Sequence, residues 1–159
     1  MGTTDDNGGS GMHGRTRLDH VGILVRDTDE ALAHFSGRIG LPVIGQEELE
    51  SPRVRLTYLD AGNICLQLVQ PLDGESDAAR ALDAQGEGLH HLGFDVKDVD
   101  AAARSVSLEP ELEPRIVQGD GRVSAFVRGE QLHGVMLEVT AIAEPHAALE
   151  SPSTRSGER

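Results

Sequence analysis

LDHVGILVRDTDEAL at residues 18–32 and LHHLGFDVKDVDAAA at 89–103 are two copies of one pattern. Seven of the 15 positions match at a constant offset of 71: Leu18/Leu89, His20/His91, Gly22/Gly93, Val25/Val96, Asp27/Asp98, Asp29/Asp100 and Ala31/Ala102. The same offset aligns NICLQLV at 63–69 with GVMLEVT at 134–140, so that Leu66 meets Leu137 and Gln67 meets Glu138. Two separated segments that keep one register without a gap point to duplication of a module of about 70 residues.

Each copy opens on an alternating strand, LDHVGILV or LHHLGFDV, with one face to bury. A short helix follows. In the first copy Asp27 or Thr28 caps it, Ala31, Leu32 and Phe35 form its apolar side, and Gly37 or Gly40 stops it. In the second copy Asp98 caps the corresponding helix over AAARSV. Strands are then expected near 42–48, 52–60 and 63–70, with counterparts near 112–117, 121–128 and 133–140. An exposed helix over 76–84, capped by Ser76, joins the halves. The predicted fold is α+β: two paired βαβββ modules forming one curved, partly open eight-stranded sheet. Module one is 16–72, the linker 73–87 and module two 88–143. Residues 1–15 and 144–159, rich in Gly, Ser, Thr and acidic residues, read as disordered tails.

Composition narrows the function classes. The chain has 159 residues and a formal charge of -13, from 14 Lys and Arg against 27 Asp and Glu. Such a surface repels phosphate backbones, and one Tyr, three Phe and no Trp leave little for bases to stack on, which argues against nucleic-acid binding. The single cysteine, Cys65, permits neither an internal disulfide nor a cysteine-based zinc site, and fits a reducing cytoplasm. No apolar run approaches the 18 residues of a membrane span, and the N-terminus lacks a signal-peptide core, so a soluble cytoplasmic protein is expected.

Strand alternation locates the chemistry. Val21, Ile23 and Val25 point toward the helices and His20 away from them; Leu92, Phe94 and Val96 do the same opposite His91. Gln67 lies opposite Leu66 and Leu68, and Glu138 opposite Leu137 and Val139. A lone strand histidine is usually structural. Here His pairs with His and Gln67 with Glu138 at one offset, always opposite an aliphatic face. If the modules pair about a pseudo-twofold axis, the four converge on the concave side of the sheet. Two imidazoles, an amide oxygen and a carboxylate suit one divalent ion of Co, Mn, Ni, Fe or Zn, acting as a Lewis acid on a small-molecule substrate. Alternation also turns His90 away from this face. Cys65 shares it, and Arg53, Arg55, Arg115, Arg122 and Arg128 lie in the sheet region, mostly on solvated faces.

The duplicated module resembles the vicinal oxygen chelate superfamily of glyoxalase I, extradiol dioxygenases and bleomycin-binding proteins. It is most similar to methylmalonyl-CoA epimerases. The resemblance is carried by LDHVGILVRDTDEALAHF, LQLVQPL, AARALDAQGEGLHHLGFDVKDVDAA, EPRIVQGDGRVSAFV and HGVMLEV, across nearly all of residues 17–141. It implies that His20, Gln67, His91 and Glu138 are metal ligands, that Glu138 also serves as a catalytic base, and that the protein is a homodimer acting on an acyl-CoA. The implied reaction is inversion of the α-carbon of methylmalonyl-CoA or a similar 2-substituted acyl-CoA. Two departures leave rivals standing. Where bacterial epimerases carry a Glu in the strand before the second ligand, this chain has Arg55 or Leu56, with Glu47, Glu48 and Glu50 upstream; and Arg128-Gly129-Glu130 replaces a His-Pro-Lys. Another lyase, isomerase or dioxygenase of the superfamily is one alternative, and a non-catalytic drug- or metabolite-binding resistance protein is the other.

Overall fold

The computed structural model describes residues 16–106, 115–119, 122–128 and 132–142. The tails expected at 1–15 and 144–159 lie outside them. Among the described residues the elements are, in order, β1 (Arg17–Leu24), α1 (Thr28–Phe35), β2 (Val43–Glu50), β3 (Arg53–Asp60), β4 (Cys65–Pro71), α2 (Asp77–Gln85), β5 (Gly88–Val96), α3 (Val99–Val106), β6 (Arg115–Gly119), β7 (Arg122–Val127) and β8 (Leu137–Ala141). The strands form one curled mixed sheet in the order β2-β3-β4-β1-β5-β8-β7-β6. Each half repeats the same wiring: β1 runs parallel to β4 and β5 parallel to β8. The halves meet where β1 and β5 pair antiparallel, so the strand order reads alike from either edge.

Local signals account for the helices. The Asp27 carboxylate accepts from the Asp29 and Glu30 N–H groups at the start of α1, and Asp98 accepts from Ala101 N–H at the start of α3. α1 lays Ala31, Leu32 and Phe35 on Val25, Leu59 and Leu68. α3 lays Val99, Ala102 and Ala103 on Val96, Ala125, Val127 and Val139.

α2 departs from the expectation of an exposed linker. Ser76 caps it as predicted, its Oγ accepting from Ala79 N–H, but Ala78, Ala79, Ala81 and Leu82 are buried. Ala78, Ala81 and Leu82 pack on Leu24, Val54, Leu56 and Val69, which belong to the other face of the sheet from α1. Module one is therefore apolar on both faces, not one. Small side chains let α2 sit close to the strands, which a sequence rich in Ala and Asp does not advertise.

Leu59 and Leu68 are fully buried between β3, β4 and α1. Leu59→Ala leaves a void there and should lower stability by about 2–5 kcal/mol, read as a drop in Tm and in the denaturant midpoint.

Candidate metal centre

His20, His91 and Glu138 come together from β1, β5 and β8, each less than 10% exposed. His20 Nε2 lies 3.0 Å from His91 Nε2 and 2.8 Å from Glu138 Oε2, and His91 Nε2 lies 3.1 Å from the same oxygen. The register explains the convergence. Gly22 of β1 stands opposite His91, and Gly93 of β5 stands opposite His20 and beside Glu138 of β8. Each imidazole lies across the glycine of the other module. A Cβ on Gly22 would fall 2.1 Å from His91 Cε1, and one on Gly93 would fall 2.2 Å from His20 Cε1. The Gly22/Gly93 match in the repeat is thus the space for the two rings.

Gln67 is buried on the same face and pairs with Gly22, which puts it next in line to His91 across that glycine. Tyr58 follows on β3, opposite Gln67. Phe126 of β7 stands opposite Glu138 and meets the His91 ring edge-on, with centroids 5.2 Å apart. All four residues singled out from the sequence therefore occupy one face around the β1–β5 seam, and three of them touch.

Of the two residues beside the histidines, Asp19 is not singled out from the sequence and His90 is expected on the opposite face. Leu18 pairs with Phe94 and His20 with Gly93, which leaves Asp19 as an extra residue on β1. Gly22 pairs with His91 and Ile23 with Leu89, which leaves His90 extra on β5. Both are β-bulges, and they occupy equivalent places in the two modules. A bulge breaks strict alternation. His90 consequently does not turn away as alternation implied: its Nδ1 lies 2.8 Å from His91 Nδ1, just as Asp19 Oδ2 lies 2.9 Å from His20 Nδ1. Burial pushes His90 down to about 4, with the nearby His91 and Arg128 adding to the effect, so it is neutral at pH 7 and can accept a hydrogen bond. One module offers a carboxylate to the outer ring nitrogen and the other an imidazole. Either acceptor leaves Nε2 to face the cluster.

Charge is concentrated here. Burial opposes a charged His20, but hydrogen bonds to Asp19 and Glu138 outweigh it and raise the imidazole to about 9. Burial likewise opposes an ionised Glu138, yet the His20 and His91 hydrogen bonds hold it well below the usual carboxylate range. Beyond His20 the face turns polar. Asp95 accepts from Arg17 at 2.9 Å, and Arg122 lies 3.7 Å from Asp19 and 3.8 Å from Asp95. Arg55 has no part in this centre: it points to the opposite face and binds Glu48 at 2.8 and 2.9 Å, while Leu56 faces the cluster side. Burial raises the Cys65 thiol, which sits opposite His20. No described helix is long and apolar enough to cross a membrane.

Residues 19–109 match the family model described as the Glyoxalase/Bleomycin resistance protein/Dioxygenase superfamily. The chain is 29% identical over 126 residues to an uncharacterized protein, YqjC, of Bacillus subtilis, covering 77% of this chain and 90% of that protein. It is 27% identical over 130 residues to the mitochondrial methylmalonyl-CoA epimerase of Homo sapiens, covering 77% and 72% respectively. Among solved structures, a variant of Streptomyces coelicolor methylmalonyl-CoA epimerase in complex with 2-nitronate-propionyl-CoA superposes with a TM-score of 0.67. Its sequence is 31% identical, over 80% of this chain and 98% of that one. The duplicated wiring, the cluster at the module seam and these likenesses agree: the chain belongs to the Glyoxalase/Bleomycin resistance protein/Dioxygenase superfamily, among relatives that are methylmalonyl-CoA epimerases.

Proposed function

We propose that this protein is a divalent-metal-dependent epimerase that inverts the α-carbon of methylmalonyl-CoA or a related 2-substituted acyl-CoA. The observation that carries the reading is the triangle of donor atoms at the module seam, with edges of 2.8, 3.0 and 3.1 Å. The three donor atoms lie close enough together to be shared by one ion. His20, Gln67, His91 and Glu138 would hold the ion. Its donors are nitrogen and oxygen only, which suits Co, Mn, Ni, Fe or Zn. When bound, such an ion supplies positive charge for the negative charge that develops as the α-proton leaves.

The chain's own residues do the rest. Gly22 and Gly93 give the two imidazoles room, while Asp19 and His90 fix their orientation. Leu24, Val54, Leu56 and Val69, roofed by α2, keep one end of the face dry, which strengthens every charge interaction beside it. Both imidazole contacts of Glu138 run through Oε2, and removal of the α-proton is assigned to Oε1. The thioester side of the substrate is an acyl-CoA by likeness to the epimerases, and a homodimer and a cytoplasmic setting belong to the same reading.

Metal affinity tests the ligand set. Isothermal titration with Co(II) should show binding lost in His20→Ala and reduced about 10–100-fold in Asp19→Asn, which removes only the partner of the outer nitrogen. Gly93→Ala should also weaken binding, because its Cβ displaces the His20 ring, while leaving the circular dichroism spectrum unchanged. A Gly93→Ala protein with parent affinity would contradict the assignment of His20.

The raised pKa of His20 makes two pH effects calculable. In metal-free protein its contribution to stability is full below 6.5 and is lost as pH rises through about 9, which denaturant titrations across that window should register. Metal must displace the same proton, so Co(II) affinity should rise with pH up to about 9 and then level off.

The reaction itself is read by proton NMR of Co(II)-loaded protein with methylmalonyl-CoA in D₂O. Deuterium should enter the α-carbon rapidly in the parent, whereas in Glu138→Gln the epimer whose α-proton faces Glu138 should no longer exchange, with metal content measured in both. Absence of exchange in the parent would overturn the epimerase reading.

A further inference from the structure

Epimerisation by direct proton transfer needs a second acid–base on the far side of the α-carbon from Glu138. Resting on the epimerase reading, we propose that Glu47 is that group. The strand register supplies the argument. Glu47 of β2 stands opposite Leu56 of β3, Leu56 opposite Val69 of β4, and Val69 opposite Leu24 of β1. Leu56, Val69 and Leu24 lie in one apolar cluster on the face that bears His20 and Gln67, and Leu49, the next residue on that face of β2, packs against it. Glu47 is therefore on the metal-bearing face even though the third strand carries Leu56 and no acid there.

A second observation ties Glu47 to the cluster. Tyr58 donates its hydroxyl hydrogen to Glu47 Oε1 at 2.5 Å, and Tyr58 stands opposite Gln67. Glu47 is half-buried, and this partner is a phenol, not a cation. The other carboxylates near this face have partners of their own, exposed Asp60 accepting from Gly62 N–H in the turn after β3. Asp95 is bound by Arg17, Asp19 by His20, and Glu48 points to the opposite face against Arg55. Glu47 and Glu138 also come from different modules, on either side of the β1–β5 seam, so the curled sheet presents one carboxylate from each wall.

The proton balance closes without any further reagent. For one epimer, Glu138 takes the α-hydrogen as a proton and the bonding pair stays on the substrate. Neutral Glu47 then gives its own proton to the opposite face of the α-carbon, leaving Glu47 ionised and Glu138 protonated. For the other epimer the same two steps run in reverse. Tyr58 acts as a positioning residue, because its hydroxyl holds Oε1 in one place.

The test uses the Co(II)-loaded full chain with each single epimer of methylmalonyl-CoA in D₂O, following inversion and α-deuteration separately. Glu47→Gln should bind Co(II) with parent affinity and lose inversion by about 100-fold or more. It should still exchange the α-hydrogen of the one epimer whose proton faces Glu138. Glu48→Gln should behave as the parent, and Tyr58→Phe should lower kcat with KM little changed. Parent-rate inversion in Glu47→Gln, or equal loss of exchange for both epimers with metal binding intact, would overturn the assignment of Glu47 while leaving the epimerase reading standing. Absence of exchange and inversion in the parent would overturn both.

Discussion

Reciprocal packing of two imidazoles over two glycines across the β1–β5 seam is the constraint on which the rest of the structure depends. His20 needs the space above Gly93, and His91 needs the space above Gly22. Antiparallel pairing of two copies of one strand brings each histidine beside the partner's glycine, because the pattern His-x-Gly is inverted about the seam. With the rings set across those glycines at 85° to each other, both Nε2 atoms point to one spot. β8 runs parallel beside β5 and delivers Glu138 to it, and β4 beside β1 delivers Gln67 to the equivalent position of the other module. The same two-residue spacing therefore supports the sheet register and the donor cluster at once.

Duplication made the framework symmetric, and the residues around it broke the symmetry. Asp19 and His90 occupy equivalent bulges, yet one is an anion at pH 7 and the other a neutral ring. Leu24 and Val69 in module one correspond to Asp95 and Thr140 in module two at the same offset of 71. One end of the concave face is consequently apolar and closed by α2, while the other is lined by Asp95, Thr140, Ser124 and Arg122. Under the proposed epimerase function, a face with chemically distinct ends would bind a substrate that carries a thioester at one end and a carboxylate at the other in one orientation.

Much of this was legible in the chain. Identical registers in LDHVG and LHHLG, and in CLQLV and MLEVT, place His20, His91, Gln67 and Glu138 on equivalent faces, and the structure brings them around one seam. The strands before and after α2, the caps Asp27, Ser76 and Asp98, and the apolar side of α1 also follow from local pattern. What the pattern misjudged were features that depend on a partner strand. His90 turns toward the centre because a bulge interrupts alternation, and a bulge is a property of a strand pair. α2 is buried because a second apolar face exists for it to cover, which no single strand reveals.

The sequence by itself determined the duplicated module, its strand and helix order, and the identities of the four residues around the seam, because local periodicity and a constant offset are written in one dimension. Tertiary structure alone decided the donor distances, the orientation of each imidazole, the exclusion of Arg55 from the centre and the place of Glu47 opposite Leu56. These rest on which residues face each other across paired strands, and that register is set by the packing of the whole sheet, with its bulges and its glycine gaps, which no stretch of chain contains alone.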